Sequence, residues 1–369
     1  MIYLDNAATT RLTEPVLSAM MPFLTSDYAN PAAGYRFARR AGQAIEKARE
    51  QCAALLSASP EEIVFTGSGS EADNWALRSS LLLTGKRRVI TSKIEHRAVL
   101  RCCEFLKTMG ADVTYLDVDR YGMVSPEAVR QALTEDTALV SVMTASNEIG
   151  TVQPIGEIGE ICRSRGVLFH TDAVQAYGHI PLNADEMCID LLSASAHKLH
   201  GPKGAGLLYI RSGLKLPPLL FGGSQENGLR AGTSNTAGIV GFGAAAEAAM
   251  LSMNVGSERI AALRDAFVAS ILEQIPGVRL NGHPTKRLPG IVSLTFSAIS
   301  GAELMMLMDR AGICVSTGAA CSAASREPSH VLTSVGLSRA EADGTIRISL
   351  SEETTREELD SAAAAMRSL

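Results

Sequence analysis

Between about residues 60 and 210, short apolar runs alternate with stretches of helical periodicity. The runs are rich in Val, Ile, Leu or small residues and do not alternate strictly with polar ones, which is typical of strands covered by helices on both faces. This alternation predicts a mainly parallel α/β sheet, in which ligands bind beyond the carboxyl ends of the strands. The predicted strands are EIVFT, RVITS, DVTYLDV, ALVSVMT, GVLFHTD, IDLLSAS and GAGLLYI.

The remainder of the chain predicts a second, smaller domain. With 369 residues the chain is longer than one compact core usually is, and its pattern changes after residue 250. Beyond that point two long helical stretches bracket three short strands, GIVSLTF, ICVST and TIRISLS. We therefore expect a large α/β domain over residues 15–250 and a small α+β domain built from residues 1–14 and 251–369.

Composition argues against several classes of function. A net charge of −5, with 20% charged residues, does not favour binding to nucleic acid or to an anionic membrane. The N-terminus lacks a basic segment followed by an apolar one, and no stretch reaches about 18 uninterrupted apolar residues. We expect a cytoplasmic protein. The seven cysteines are odd in number and form no C-x-x-C pair, so we expect neither a disulfide framework nor a metal site.

The loop Thr66–Glu71 lies between a predicted strand and a predicted helix. Its glycines let the backbone approach a ligand closely, and its hydroxyls with the helix N-terminal N–H groups suit a phosphate. Capping of the helix by Ser70 is an alternative explanation of the same residues. The density of hydroxyls favours the phosphate.

Two charged residues end predicted strands of the sheet. Asp172 ends GVLFHTD, where a carboxylate either caps a helix or pairs with a buried positive group, and Gln175 follows it three residues later. Lys198 closes LLSASAHK; if this strand is central, loss of water lowers the pKa of its amine, as Schiff-base chemistry requires. Lys203 is the competing lysine, but it follows a Gly-Pro turn and we expect it to be solvated.

A phosphate loop, a buried acid and a desolvated lysine together predict a pyridoxal 5′-phosphate (PLP) site. In such a site the acid keeps the pyridine nitrogen protonated, and the ring accepts electrons from a carbon of an amino acid. Ser195 and His197 flank Lys198 and are within reach of a phosphate. His96 follows RVITS, where it lies either over the ring face or in the core as a packed neutral histidine.

A set of motifs along nearly the whole chain resembles one known family. The motifs are YLDNAATT, EIVFTGSGSEADN, SKIEHRAVL, NEIGTVQPI, HTDAVQA, SASAHKLHGPKG, GLRAGTSN, VSTGAACSAASREPSHVL and IRISLS. In this order they resemble the NifS/IscS-like cysteine desulfurases, which are class V aminotransferase-family enzymes with the fold-type I architecture of PLP-dependent transferases. The resemblance implies that L-cysteine is converted to L-alanine and that the sulfur is kept as a persulfide.

The resemblance also implies a role for individual residues. Lys198 carries the cofactor. Asp172 contacts the pyridine nitrogen of the cofactor, Gln175 its ring hydroxyl and His96 its ring face. The phosphate of the cofactor is held by Gly69, Ser70, Ser195 and His197. Thr233 adds a phosphate contact from the neighbouring subunit, which implies a homodimer. Asn147 and Arg347 hold the substrate carboxylate, which arginine binds bidentately without losing its charge.

Cys321 is the predicted acceptor thiol. Its surroundings, STGAACSAASREPSH, are small and polar without an apolar period, which predicts a loop. The resemblance implies that the Cys321 thiolate attacks the substrate sulfur and passes it on to an acceptor protein. We expect most of the other thiols to be buried and inert, in particular those in helical patterns: Cys52, Cys102, Cys103 and Cys162.

Two alternatives remain open on the sequence. One is another fold-type I PLP enzyme, such as a selenocysteine lyase or an aminotransferase-like enzyme, and the other is a non-catalytic binding protein on the same fold. The sulfur acceptor is not identified. Only 22 residues follow Arg347, whereas family members that supply an iron–sulfur scaffold usually end in a longer segment that helps to dock the scaffold. The short segment therefore argues against the scaffold as the partner. The sulfur could instead go to a thiolation pathway, another biosynthetic pathway or a reductant.

Overall fold

The structure is a computed structural model that describes residues 1–317 and 327–368. Its strands are β1 (Ile2–Tyr3), β2 (Ile63–Thr66), β3 (Arg88–Ser92), β4 (Asp112–Leu116), β5 (Thr137–Ser141), β6 (Leu168–Asp172), β7 (Leu191–Ser195), β8 (Gly206–Ile210), β9 (Val278–Leu280), β10 (Ile291–Phe296), β11 (Ile313–Cys314) and β12 (Thr345–Ser349). Its α-helices are α1 (Glu14–Thr25), α2 (Arg36–Ala54), α3 (Gly69–Thr84), α4 (Arg97–Thr108), α5 (Pro126–Ala132), α6 (Ile155–Ser164), α7 (Thr236–Gln274), α8 (Gly301–Arg310), α9 (His330–Ser334), α10 (Arg339–Asp343) and α11 (Arg356–Arg367).

The central sheet has seven strands in the order β2-β8-β7-β6-β5-β3-β4. Neighbouring strands from β7 to β4 are parallel, and β8 alone runs antiparallel to both of its neighbours. Each predicted strand overlaps one of these seven, and β5, β7 and β8 are buried along their whole length. The prediction of a mainly parallel sheet covered on both faces is confirmed.

The strand order determines where the functional side chains meet. Because β6 and β7 are adjacent and parallel, Asp172 lies in register with Ser193, and the next turn of chain after β7 carries Lys198. The connection from β2 to α3 opens at the same edge, since β2 points in the same direction as β7. The predicted phosphate loop, acid and lysine therefore face one region.

A second apolar core forms around the antiparallel sheet β12-β10-β9 and helices α8 and α11. The chain's start joins this part, because β1 pairs in parallel with β11 and Leu4 is buried in the second core. Helix α7 contributes Ala249 to the first core and Ile260 to the second. The predicted domain boundary at residue 250 falls inside this continuous helix and stays a prediction.

Helix α7 is, within the described residues, the one helix long and apolar enough to cross a membrane by length and composition. Half of its most apolar window is buried inside the protein, as in many core helices, so this property is weak evidence for a membrane span. The predicted cytoplasmic location stays a prediction.

The cysteines of the described residues follow the expected pattern. Burial raises the pKa of Cys52 and of Cys162 to about 12 and that of Cys102 to about 11, so these thiols stay protonated and unreactive at neutral pH. Cys188 and Cys314 are partly exposed. Cys321 lies in the segment 318–326, outside the described residues.

Candidate active site

One cavity lies at the carboxyl edge of the central sheet, against the second core. It contains the predicted site residues that the structure describes, with one exception: Gly69, Ser70, His96, Asn147, Asp172, Gln175, Ser195, His197, Lys198 and Arg347. The exception is Thr233, which lies on the exposed segment before α7 and borders a different cavity, together with Gln225 and Arg230.

Lys198 enters this cavity from a single 3₁₀ turn, Ala196–Lys198, that directly follows β7. Its half-buried amine donates hydrogen bonds to the carbonyl oxygens of Ala7 (2.6 Å) and Ala8 (2.8 Å). The predicted amine at the edge of a buried strand is therefore present, and backbone from the chain's N-terminus holds it. Lys203, the competing lysine, is exposed, as predicted.

The start of α3, which the sequence predicts to hold the phosphate, lines the cavity. Ser68 caps the helix by accepting a hydrogen bond from the Glu71 amide (3.1 Å), so the alternative that Ser70 is the cap is wrong. Ser70 is exposed in the first turn and leaves its hydroxyl for a ligand. A side chain at position 69 would be crowded, because a Cβ there would lie 2.5 Å from Cγ2 of Val174. Unpaired N–H groups at this helix end attract an anion.

Ser195 and His197 lie beside the same end. Ser195 is 3% exposed, and its hydroxyl lies 3.5 Å from the Ala205 carbonyl oxygen. His197 Nδ1 lies 3.2 Å from the Thr9 hydroxyl. Burial, with a smaller effect of Lys198 and Lys203, lowers the pKa of His197 to about 4, so the ring is neutral at physiological pH and can still donate a hydrogen bond to an anion.

Asp172 and His96, the residues predicted to contact the pyridine ring, also line the cavity. Asp172 is 7% exposed and accepts a hydrogen bond from the Val174 amide (2.9 Å). Burial raises the pKa of Asp172, while His96, the Val174 amide and Lys198 oppose that rise. Nδ1 of His96 accepts a hydrogen bond from the Ala98 amide (3.2 Å) and so caps α4, which places the proton of the neutral ring on Nε2.

Arg347 brings a positive charge from the second core into the cavity. It lies on β12, is 2% exposed, and donates to the Asn147 carbonyl oxygen (3.0 Å) and to Oδ1 of Asp5 (2.7 Å). Asn147 and Asp5 thus set the plane of the guanidinium group. A planar guanidinium of fixed orientation suits a carboxylate ligand.

Sequence reasoning missed four acidic or imidazole groups that line the cavity: Asp73, Glu95, Glu148 and His330. Glu95 is completely buried, accepts hydrogen bonds from the Ser92 hydroxyl (2.6 Å) and the Met143 amide, and has a pKa raised to about 8 by burial. Glu95 and Glu148 stand next to the predicted residues His96 and Asn147, and this adjacency is the available sequence signal.

These donors fit PLP. The start of α3 with Ser70, Ser195 and His197 suits the phosphate, the buried Asp172 suits the pyridine nitrogen, and Lys198 supplies an amine for the aldehyde. The side chains of Val174 and Ser195 pack around Gly69 and leave little room for a Cβ there.

Comparisons with known proteins agree with this geometry. The chain matches the family model described as aminotransferase class-V over residues 2–361. Curated relatives include the cysteine desulfurases IscS of Dictyoglomus turgidum, 48% identical over 97% of this chain and 92% of the relative, and of Methanosarcina thermophila, 47% identical over 97% and 89%. Similar solved structures include a NifS-like protein with a TM-score of 0.93, 38% identical over 100% of this chain and 98% of that chain. Another is SspA in complex with cysteine, with a TM-score of 0.85 and 39% identity over 96% and 100%.

The fold-type I architecture and the PLP cofactor predicted from the motifs are confirmed by these matches. The chain belongs to the class V aminotransferase family, in its NifS/IscS-like group of PLP-dependent cysteine desulfurases.

Proposed function

We propose that this protein is a cysteine desulfurase that converts L-cysteine to L-alanine and keeps the sulfur as a persulfide on Cys321. The observation that supports this most directly is the cavity in which Lys198, Asp172 and Arg347 meet the start of α3. One cavity thus holds an amine, an acid, an anion site and a carboxylate site, which a PLP enzyme acting on an amino acid requires.

When bound, PLP supplies an aldehyde that condenses with amines and a ring that accepts electron density from the substrate's Cα. Asp172 holds a positive charge at the pyridine nitrogen, because an ionised carboxylate in a buried site favours a protonated neighbour. Gln175, whose amide donates to the Ala7 carbonyl oxygen (2.9 Å), would hydrogen-bond the ring hydroxyl of bound PLP. Nζ of Lys198 is the group that moves the Cα proton, and Nε2 of His96 assists it.

Arg347 binds the carboxylate of L-cysteine. Its contacts with Asn147 and Asp5 keep the guanidinium in place before the substrate arrives, so little side-chain entropy is lost on binding. The carboxylate at Arg347 and the amino group near Lys198 orient the substrate at two points. This orientation leaves the thiol as the remaining group to face the acceptor.

The Cys321 thiolate attacks the substrate sulfur. A sulfur–sulfur bond forms, the Cβ–S bond breaks, and its electron pair stays on the substrate carbon, which is then protonated to give alanine. The buried thiols Cys52, Cys102 and Cys162 do not compete, because burial keeps them protonated.

The proposal includes a homodimer. Thr233 is exposed and does not line the cavity of its own chain, which fits a contact with the phosphate of the neighbouring subunit. The terminal sulfur passes from Cys321 to an acceptor protein whose identity the residues do not indicate.

The test is incubation of the cofactor-loaded protein with L-cysteine, followed by alanine assay and by intact-mass and peptide analysis. We expect one added sulfur on Cys321 and no alanine from Cys321→Ser, whereas Cys314→Ser, at the partly exposed thiol seven residues earlier, should keep turnover. Alanine production by Cys321→Ser would refute the persulfide assignment. Turnover of selenocysteine but not cysteine by the wild type would favour a selenocysteine lyase.

A further inference from the structure

A second buried carboxyl lies close to Asp172. Asp73, on α3, is 1% exposed, and carboxylate oxygens of Asp73 and Asp172 and a ring nitrogen of His96 all lie within 4.8 Å of one another. Oδ1 of Asp73 has no hydrogen-bond partner within the described part of the chain. A buried acceptor without a donor is unfavourable, so this oxygen needs an explanation.

Within the part of the chain that the structure describes, no Lys or Arg side chain pairs with Asp73. On β6, His170 is the only ionisable base within 4.0 Å in residues 1–317 and 327–368, with Nε2 at 3.7 Å from Oδ1. Its ring nitrogens contact the hydroxyls of Ser141 (2.8 Å) and Ser193 (3.0 Å). Burial lowers the pKa of His170 to about 3, so the ring is neutral at physiological pH.

Apart from His96, the remaining titratable neighbours of Asp73 are acids or a thiol. Asp172 on β6 and Glu95 before α4 both disfavour a negative charge on Asp73, and Cys102 on α4 is a buried, protonated thiol. His96 and Lys198 favour the ionised form of Asp172. Two carboxylates this close in a buried site cannot both be ionised without a large repulsion.

We propose that Asp73 is a positioning residue for the cofactor: the Asp73–Asp172 pair holds one proton in the cofactor-free protein, and Asp73 keeps that proton when PLP is bound. Asp172 then carries the single negative charge that faces the pyridine nitrogen. The second part of this proposal rests on the proposed PLP-dependent function, whereas the first part concerns the protein alone.

The asymmetry between the two carboxyls assigns the proton. Asp172 accepts a hydrogen bond from the Val174 amide (2.9 Å) and lies near two bases, which stabilise its ionised form. At Asp73 the Ser193 hydroxyl favours the ionised form, but burial together with the nearby Asp172 and Glu95 outweighs it and raises the pKa well above the usual range. Oδ1 of Asp73 accepts no hydrogen bond from the described residues. If this oxygen carries the proton, it is itself a hydrogen-bond donor and does not require one from a neighbouring group.

The experiment uses the full-length chain labelled with ¹³C at the aspartate side-chain carboxyl, observed by NMR with and without PLP. The label reports aspartates only, so the buried Glu95 does not contribute. We expect one protonated aspartic acid signal at pH 7 in the wild type, its loss in Asp73→Asn, and its persistence after PLP is added. The matched control is Asp27→Asn: Asp27 is also buried, at 7% exposed, but lies 3.3 Å from Arg40, so its removal should leave the signal unchanged.

Absence of a protonated aspartate signal in the wild type at pH 7 would overturn the proposal, and this result does not depend on whether any variant folds. Survival of the signal in Asp73→Asn would assign the proton elsewhere, and loss of the signal when PLP binds would show that Asp73 does not keep it. If the chain failed to bind PLP at all, the proposed function would fail, while the cofactor-free spectrum would still test the shared proton.

Discussion

Substitution of Gly69 by alanine tests whether close packing shapes the phosphate site. The new Cβ would lie 2.5 Å from Cγ2 of Val174, whereas carbon atoms pack at about 3.5–4.0 Å, so the helix start or Val174 must move by about 1 Å. Overpacking of this kind costs about 1–3 kcal/mol, and the helix propensity of alanine returns at most about 1 kcal/mol. We expect a net loss of about 1–2 kcal/mol in the free energy of unfolding and about tenfold weaker PLP binding, which corresponds to about 1.4 kcal/mol.

A double-mutant cycle with Val174→Ala isolates the contact. Removal of the Val174 methyl groups should let Gly69→Ala fit, so the double variant should recover at least about 1 kcal/mol relative to the sum of the two single variants. Urea unfolding of the cofactor-free protein and titration with PLP measure the two effects. Gly156→Ala, in the first turn of α6 with no atom within 4 Å of its new Cβ, is the control and should be neutral or stabilising. Additivity of the Gly69 and Val174 substitutions within about 0.3 kcal/mol would refute the steric reasoning.

Three further predictions concern charged or titratable groups. Lys198→Ala should lose both the absorbance band of bound PLP and the turnover of L-cysteine, whereas Lys203→Ala, at an exposed position, should keep both; a normal band in Lys198→Ala would contradict the assignment. Arg347→Lys should raise KM for L-cysteine about tenfold or more with a smaller effect on kcat. The reason is that lysine lacks the planar guanidinium group, which contacts Asn147 and Asp5 and at the same time binds a carboxylate. An unchanged KM in steady-state kinetics would disprove this. Burial lowers the folded-state pKa of His170 from its usual 6.5 to about 3, so on acidification the unfolded chain takes up this proton first. Neutral His170 therefore contributes to the free energy of unfolding above pH 6.5, and this contribution is lost as the pH falls towards 3, at up to about 1.4 kcal/mol per pH unit. In urea unfolding of the cofactor-free protein, the free energy of unfolding of His170→Gln should fall less steeply with acidification than that of the wild type. Equal slopes would show that His170 does not titrate in this way.

The central sheet and the site residues at the ends of its strands were predictable because both depend on patterns of residues that are close together in the sequence. Strands buried on both faces appear as continuous apolar runs, and a polar residue directly after such a run must emerge at the strand's carboxyl end. This logic placed Asp172 and Lys198 correctly. The capping of α3 was not resolved by it, since Ser68 and Ser70 are both hydroxyl residues near one helix start, and only the backbone shows that Ser68 accepts the Glu71 amide.

Resemblance of motifs supplied what local patterns do not contain. In the sequence, Arg347 is one charged residue in a short predicted strand. The residues next to it along the chain do not indicate that it approaches Asn147, 200 positions earlier. Its pairing with Asp5 was not predicted by either route. A charged residue in a sequence is by default an exposed one, and its burial depends on elements that are distant along the chain.

The sequence by itself determined the alternation of strands and helices, the edge of the sheet at which the site forms, and the residue types that chemistry requires there. Tertiary structure alone decided the antiparallel direction of β8, the backbone carbonyls of Ala7 and Ala8 that hold Lys198, and the approach of Asp73 to Asp172. The physical reason is range: periodicity and turn chemistry act between residues a few positions apart. Burial, ion pairing and proton sharing depend on which distant segments pack together and exclude water.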